Sequence, residues 1–132
     1  MNLNQVTLPS TDVVRGASFY RRLGFTQIVD NPPTYVRFEC PEGGATFSLH
    51  RVEGAIAGPG VVVYFECQDL ERRYTDLVAA GIAFESAPAD QSWLWREAYL
   101  RDPDGNQLCL FQAGKNRRHP PWRLQLSAGS ET

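Results

Sequence analysis

Apolar and polar residues alternate along this chain with two different periods, and each change of period marks an element. Residues 3–8 alternate strictly, Val6 and Leu8 on one face and Leu3, Gln5 and Thr7 on the other, which predicts a strand that Pro9 ends. Ser10, Thr11 and Asp12 then offer capping oxygens. Val13, Ala17 and Tyr20 recur at helical spacing until Gly24, the residue type that most easily takes the left-handed conformation closing a helix. Alternation returns over 25–29, 35–40 and 45–51. Val36, Phe38 and Cys40 oppose Tyr35, Arg37 and Glu39, while Phe47 and Leu49 oppose Thr46, Ser48 and His50.

The order then starts again. A strand over 60–66 precedes the capping pair Gln68 and Asp69, a helix carrying Leu70, Tyr74, Leu77 and Val78 inward, and Gly81 at its end. Strands over 82–87, 95–101 and 106–112 follow. Asp12 and Gly24 recur as Asp69 and Gly81, a shift of 57, and the same shift carries Gln5 onto Val62. The pattern therefore predicts an α+β fold of two βαβββ modules in a single domain spanning 1–132. Module 1 covers about 1–52, module 2 about 60–112, and a tail runs from 113 to 132.

Asp102-Pro103-Asp104-Gly105 specifies a tight type I turn, because proline at the second position has its φ already fixed and glycine suits the fourth. Asp102, Asp104 and Asn106 imitate the opening of a calcium loop. Gln107 stands where that loop needs glycine and Ala113 where it needs a bidentate glutamate, so the segment reads as a hairpin turn.

With a helix on one face of each sheet, the other face has no helical cover. Its positions read Gln5, Thr7, Tyr35, Arg37, Glu39, Ser48, His50, Tyr64, Glu66, Trp95, Glu97, Tyr99, Cys109 and Phe111. Aromatics mixed with converging polar groups suit a cleft for a small organic molecule. Tyrosine and tryptophan are also enriched between subunits, so the pattern leaves both uses open for any one aromatic.

Composition narrows the partners. A formal net charge of -2 gives no broad basic surface for nucleic acid, and the apolar run Val61 to Phe65 is too short to span a bilayer. The N-terminus lacks the charged and apolar regions of a signal peptide, and the expectation is a cytosolic protein. Cys40, Cys67 and Cys109 are an odd number without C-x-x-C spacing, which favours reduced thiols over a disulfide or zinc framework. By parity Cys40 and Cys67 belong to the core faces, and Cys109 does not.

Gln5-Val6-Thr7-Leu8-Pro9 with Asp12, Phe19-Tyr20-Arg21-Arg22-Leu23-Gly24-Phe25, Phe65 to Leu70, and Asp102-Pro103-Asp104-Gly105-Asn106 together resemble the vicinal oxygen chelate superfamily. That group holds glyoxalase I, extradiol dioxygenases, fosfomycin resistance enzymes and bleomycin resistance proteins. The resemblance, over about 3–112, implies a curled mixed sheet built from paired modules, helices on one face and a ligand cleft on the other. In short chains it implies a cleft assembled across a homodimer.

It also implies a metal held by one residue from each of four strands. Those positions fall here on Gln5, Ser48, Val62 and Cys109, and only Gln5 is of the usual ligand type. Shifted by one pleat, Gln5, His50 and a deprotonated Cys109 would make a three-ligand zinc site with one open position. The expectation is a cleft without cofactor or metal, as in the bleomycin resistance members, lined by Gln5, Thr7, Tyr35, Arg37, Ser48, His50, Tyr64, Trp95, Tyr99, Cys109 and Phe111. The alternative is a lyase, isomerase or dioxygenase using a divalent metal or acid-base chemistry in the same cleft. In its metal-free form His50 exchanges a proton, Arg37 holds an anionic group, and Glu66 or Glu97 assists. Cys109 as a nucleophile would need a neighbouring base or cation.

In the tail, Lys115, Arg117, Arg118, His119 and Arg123 surround Pro120-Pro121-Trp122. The expectation is that Trp122 packs the tail onto its own domain or onto the partner chain and that residues from Ser127 onward form a free end.

Overall fold

The computed structural model describes residues 1–56, 58 and 60–125. Module 1 runs β1 (Gln5–Ser10), α1 (Val13–Leu23), β2 (Thr26–Asn31), β3 (Tyr35–Glu39) and β4 (Thr46–Arg51). Module 2 runs β5 (Val63–Glu66), α2 (Leu70–Ala79), β6 (Ala89–Asp90), β7 (Arg96–Arg101) and β8 (Gln107–Gln112), and a short 3-10 turn over Gly114–Arg117 follows. Each module forms a four-stranded mixed sheet, ordered β1-β4-β3-β2 and β5-β8-β7-β6. The first strand pairs in parallel with the last, β1 with β4 and β5 with β8, and the remaining pairs are antiparallel. Neither sheet closes into a barrel.

Both helices begin and end alike. Asp12 and Asp69 each accept a hydrogen bond from the backbone N–H three residues on, at 3.1 and 3.2 Å. Gly24 and Gly81 take φ of 107° and 90°, the left-handed conformation that closes a helix. Their amphipathic faces meet in a single apolar core with the inner faces of both sheets, Tyr20, Phe38, Leu49, Leu70, Leu100 and Leu108 being almost completely buried. Phe25 and Phe47 of module 1 pack on Phe65 of module 2, with ring centroids 4.7 and 5.4 Å apart. α1 lies unusually close to its sheet, because a Cβ at Gly16 would fall 2.4 Å from Leu49 Cδ1.

The Asp102 turn forms as its residues require, with Gly105 N–H donating to Asp102 O at 2.9 Å. It also ties the modules together. The buried Asp102 carboxylate accepts from the Tyr20 hydroxyl at 2.7 Å and from the Asn106 backbone and side chain. Asp104 accepts from the Ser10 and Thr11 hydroxyls, both at 2.6 Å, from Thr11 N–H and from Arg15. Ser10 and Thr11, which the sequence offered as caps, thus serve the turn, and Asp12 caps the helix.

Four expectations change. Residues 82–87 are irregular and not a strand: Ile82 and Phe84 pack inward, Glu85 and Ser86 donate to Tyr99 O, and pairing begins only after Pro88, at Ala89. β1 continues through Pro9 to Ser10. It is an edge strand, where a missing N–H costs no ladder bond. Val78 faces solvent, and Trp122 is 56% exposed and so does not pack the tail onto its own domain. The expected free end from Ser127 lies outside the described residues. Among the described residues no helix is long and apolar enough to cross a membrane.

Candidate functional site

The outer faces of the two sheets carry the candidate residues, and the structure divides them into two groups. On module 1, strand parity brings Gln5, Thr7, Tyr35, Arg37, Ser48 and His50 to one face. Ser48 is fully buried at its centre. Its Oγ accepts from Gln5 Nε2 at 2.8 Å and is hydrogen-bonded to the Tyr35 hydroxyl, which accepts from Arg37 Nε at 2.9 Å. The Gln5 carbonyl accepts from Thr46. Burial pushes the Tyr35 phenol up, but the hydrogen bonds to Ser48 and Arg37 and the guanidinium charge outweigh it and hold the phenol below its ordinary value. This face is a closed network whose donors and acceptors largely satisfy one another. His50 stands outside it, exposed, with Nδ1 3.0 Å from Arg51 O.

Module 2 is built differently. Tyr64, Glu66, Trp93, Trp95, Glu97, Phe111 and Arg117 line an open cleft of about 740 Å³. Trp95 and Phe111 stack with centroids 4.7 Å apart and planes 18° from parallel, and Tyr64 stands edge-on to both at 5.9 and 5.7 Å. Trp95 Nε1 donates to Asn116 O at 3.3 Å, so Trp95 and not Trp122 fastens the start of the tail. Beneath the rings lies Glu97, only 1% exposed, accepting from the Tyr99 hydroxyl at 2.7 Å and from Trp93 Nε1 at 2.9 Å. The contact with the Tyr64 hydroxyl, burial and the Glu97 charge hold the Tyr99 phenol well above its ordinary value. Arg117 reaches back to Glu66 at 3.6 Å across the rim.

Cys109 is on this outer face, as parity requires, yet fully buried beside Phe111, Val62, Trp95 and Tyr99. Burial, with the nearby Glu97 charge adding to it, pushes its thiol up to about 12. It is therefore a poor thiolate, unsuited to nucleophilic attack near neutral pH.

The residues at the metal positions do not fit a metal. Gln5 is engaged at both ends by Ser48 and Thr46, Val62 has no donor atom, and Cys109 is packed among Phe111, Trp95 and Tyr99. In the shifted set, His50 faces a backbone carbonyl on module 1 while Cys109 is packed into module 2. Among the described residues no cluster of three or more His, Cys, Asp or Glu side chains could hold a metal ion. The expected acid-base partners are likewise divided, His50 and Arg37 on module 1, Glu66 and Glu97 on module 2. Trp93 and Arg117 were not among the candidates. Trp93 lies in the turn before β7, where strand parity gives no signal for it.

A model of the Glyoxalase/Bleomycin resistance protein/Dioxygenase superfamily matches residues 2–110. The structure is similar to that of a glyoxalase/bleomycin resistance protein/dioxygenase from Nocardioides, with TM-score 0.76, 25% identity, and coverage of 95% of this chain and 90% of that one. It is also similar to a bleomycin-binding protein complexed with bleomycin, with TM-score 0.72, 26% identity, and coverage of 85% and 98%. The protein YraH of Bacillus subtilis (strain 168) is 25% identical over 126 residues, which are 85% of this chain and 98% of that protein.

Proposed function

The chain belongs to the Glyoxalase/Bleomycin resistance protein/Dioxygenase superfamily, and from that premise we propose that it captures a small, flat organic molecule on the outer face of module 2 without using a metal. The observation that carries this reading is the cleft itself: a stacked Trp95–Phe111 pair with Tyr64 edge-on, open to solvent, above a buried carboxylate. Aromatic walls of this kind hold a planar ligand by apolar burial and ring stacking, and a few fixed polar groups orient it. The similarity to a bleomycin-binding protein supports small-molecule capture, and the chemistry at Gln5, Ser48, Val62 and Cys109 supports doing so without a metal. Acid-base catalysis would need His50, Arg37 and a glutamate to converge.

The capture reading extends to a homodimer. β1 and β5 are both sheet edges, and Leu3 and Val61 near them are 88% and 72% exposed. A light-scattering mass near 14.8 kDa, that of one chain, at micromolar concentration would remove the dimer.

Calorimetric titration with 2-naphthylmethanol tests capture. At about 0.3 kcal/mol per non-hydrogen atom, a dissociation constant on the order of 1 mM or below is expected. It should be the same in EDTA and in added zinc, nickel, manganese or iron. An affinity that disappears in EDTA and returns with one metal would contradict the metal-free reading.

A further inference from the structure

Glu97 is a buried carboxylate without a cation. A charge taken out of water is ordinarily paired, because neutral donors alone recover only part of its lost hydration. Glu97 is 1% exposed, yet its two oxygens meet only neutral donors, the Tyr99 hydroxyl and the Trp93 indole N–H. Among the described residues no Lys, Arg or His forms an ion pair with it, and Arg117, the cation lining the same cleft, pairs with Glu66. Around it stand the rings of Trp95, Phe111 and Tyr64, whose negative faces attract cations. The cleft therefore offers one carboxyl group without a cationic partner beside a wall of aromatic rings.

Trp93 covers that charge on a displaceable support. Its indole is 44% exposed, so one edge holds Glu97 while much of the ring stands in solvent. The next residue, Leu94, has φ of 70°, a left-handed conformation unusual for a branched side chain, and is itself 47% exposed. The turn is closed by Leu94 N–H donating to Gln91 O at 3.0 Å and Gln91 N–H donating to Trp95 O at 2.8 Å. Moving Trp93 aside gives up one hydrogen bond to Glu97, which an N–H donor of the ligand can replace.

We propose that Glu97 anchors a cationic nitrogen of the ligand and that Trp93 is the gate the ligand's N–H donors displace. The ligand class is then a flat aromatic carrying an amine or amidine, a narrower statement that rests on the capture reading above.

Three naphthalenes of one shape separate the two claims: 2-naphthylmethylamine, charged at pH 7, 2-naphthylmethanol, neutral, and 2-naphthoate, anionic. The amine is expected to bind about 10-fold or more tighter than the alcohol, and the carboxylate more weakly than both. An amine that binds no better than the alcohol overturns the Glu97 anchor and leaves capture standing. Failure of all three overturns capture and the anchor with it.

Glu97→Gln is expected to bring the amine-to-alcohol ratio to about one. The ratio is taken within each protein, so a general change in the cleft cancels, and a ratio that survives the substitution overturns the anchor. Trp93→Phe keeps a ring and removes the donor, and should raise the ratio a few-fold. An unchanged or lower ratio overturns the gate.

Discussion

The outer faces of the two sheets share one register and have opposite chemistry. Tyr35 of β3 faces His50 of β4 as Glu97 of β7 faces Phe111 of β8, Arg37 faces Ser48 as Tyr99 faces Cys109, and Thr7 pairs with Ser48 as Tyr64 pairs with Cys109. On module 1 these positions hold three hydroxyls, a guanidinium and the exposed His50, and Ser48, Tyr35 and Arg37 bond to one another and to Gln5, which leaves little open for a guest. On module 2 the same backbone carries three rings and a carboxylate, with a cleft above them. The frame of strands and caps thus sets where side chains stand, and the choice of side chain at five paired positions decides whether a face closes on itself or stays open.

The comparison is broken most sharply at its corresponding positions. Phe111→Ala should destabilise the protein by about 3–5 kcal/mol, because the ring is 4% exposed and stacked on Trp95, whereas His50→Ala at the matching place should stay within about 0.5 kcal/mol. Urea denaturation of both variants checks this, and equal losses would mean that the two faces are packed alike. Gly16 and Arg73 occupy matching turns of the two helices, being separated by the same shift of 57. Gly16→Ala drives a methyl onto the buried Leu49 and should cost about 1–3 kcal/mol by overpacking, while Arg73→Ala on the exposed side of α2 should cost little.

The turn that joins the modules should be sensitive to acid. Burial raises the Asp104 carboxyl, but hydrogen bonds from Ser10 and Thr11 and the Arg15 charge outweigh it and hold the carboxyl below its ordinary value. A depressed folded value stabilises the protein above the unfolded one, about pH 3.9, and that contribution is lost as pH falls through the folded value. Native protein should therefore exceed Asp104→Asn in thermal midpoint at pH 6, and the gap should narrow below about pH 4. A gap independent of pH would place the effect in packing instead. The smallest effect concerns thiols. Burial holds Cys40, Cys67 and Cys109 all above the ordinary thiol value, and Cys109 is the most enclosed. Cys109 is fully buried, so iodoacetamide should label it only after unfolding. Labelling of the native protein at that residue would contradict its burial.

Much of this architecture was legible in the sequence because it rests on local rules. Asp12 and Asp69, Gly24 and Gly81 mark both helices by capping chemistry, and alternation in 35–40, 45–51 and 106–112 sorts core from outer face. The strand at 82–87 was misread because Ile82 and Phe84 alternate like a strand. Phe84 packs on Tyr74 and Ile82 joins the apolar core, while Pro88 delays pairing to Ala89. The site was half legible. Parity brought the right residues to the outer faces, yet it could not tell that module 1's polar groups bond to one another or that Cys109 lies buried under rings. Those facts depend on how neighbouring strands pair. Trp93 was hidden for a related reason: the left-handed Leu94 returns the chain so that its indole meets Glu97.

The central claim is that the guest sits on module 2 and not on module 1. Nitrogen-15 labelled protein titrated with 2-naphthylmethanol and followed in ¹H–¹⁵N correlation spectra tests it residue by residue. The indole signals of Trp93 and Trp95 and the backbone amides of Tyr64, Glu97 and Phe111 are expected to shift together along one saturating curve, while those of Arg37, Ser48 and His50 stay in place. Shifts centred on Arg37, Ser48 and His50, with the two indoles unmoved, would contradict the account.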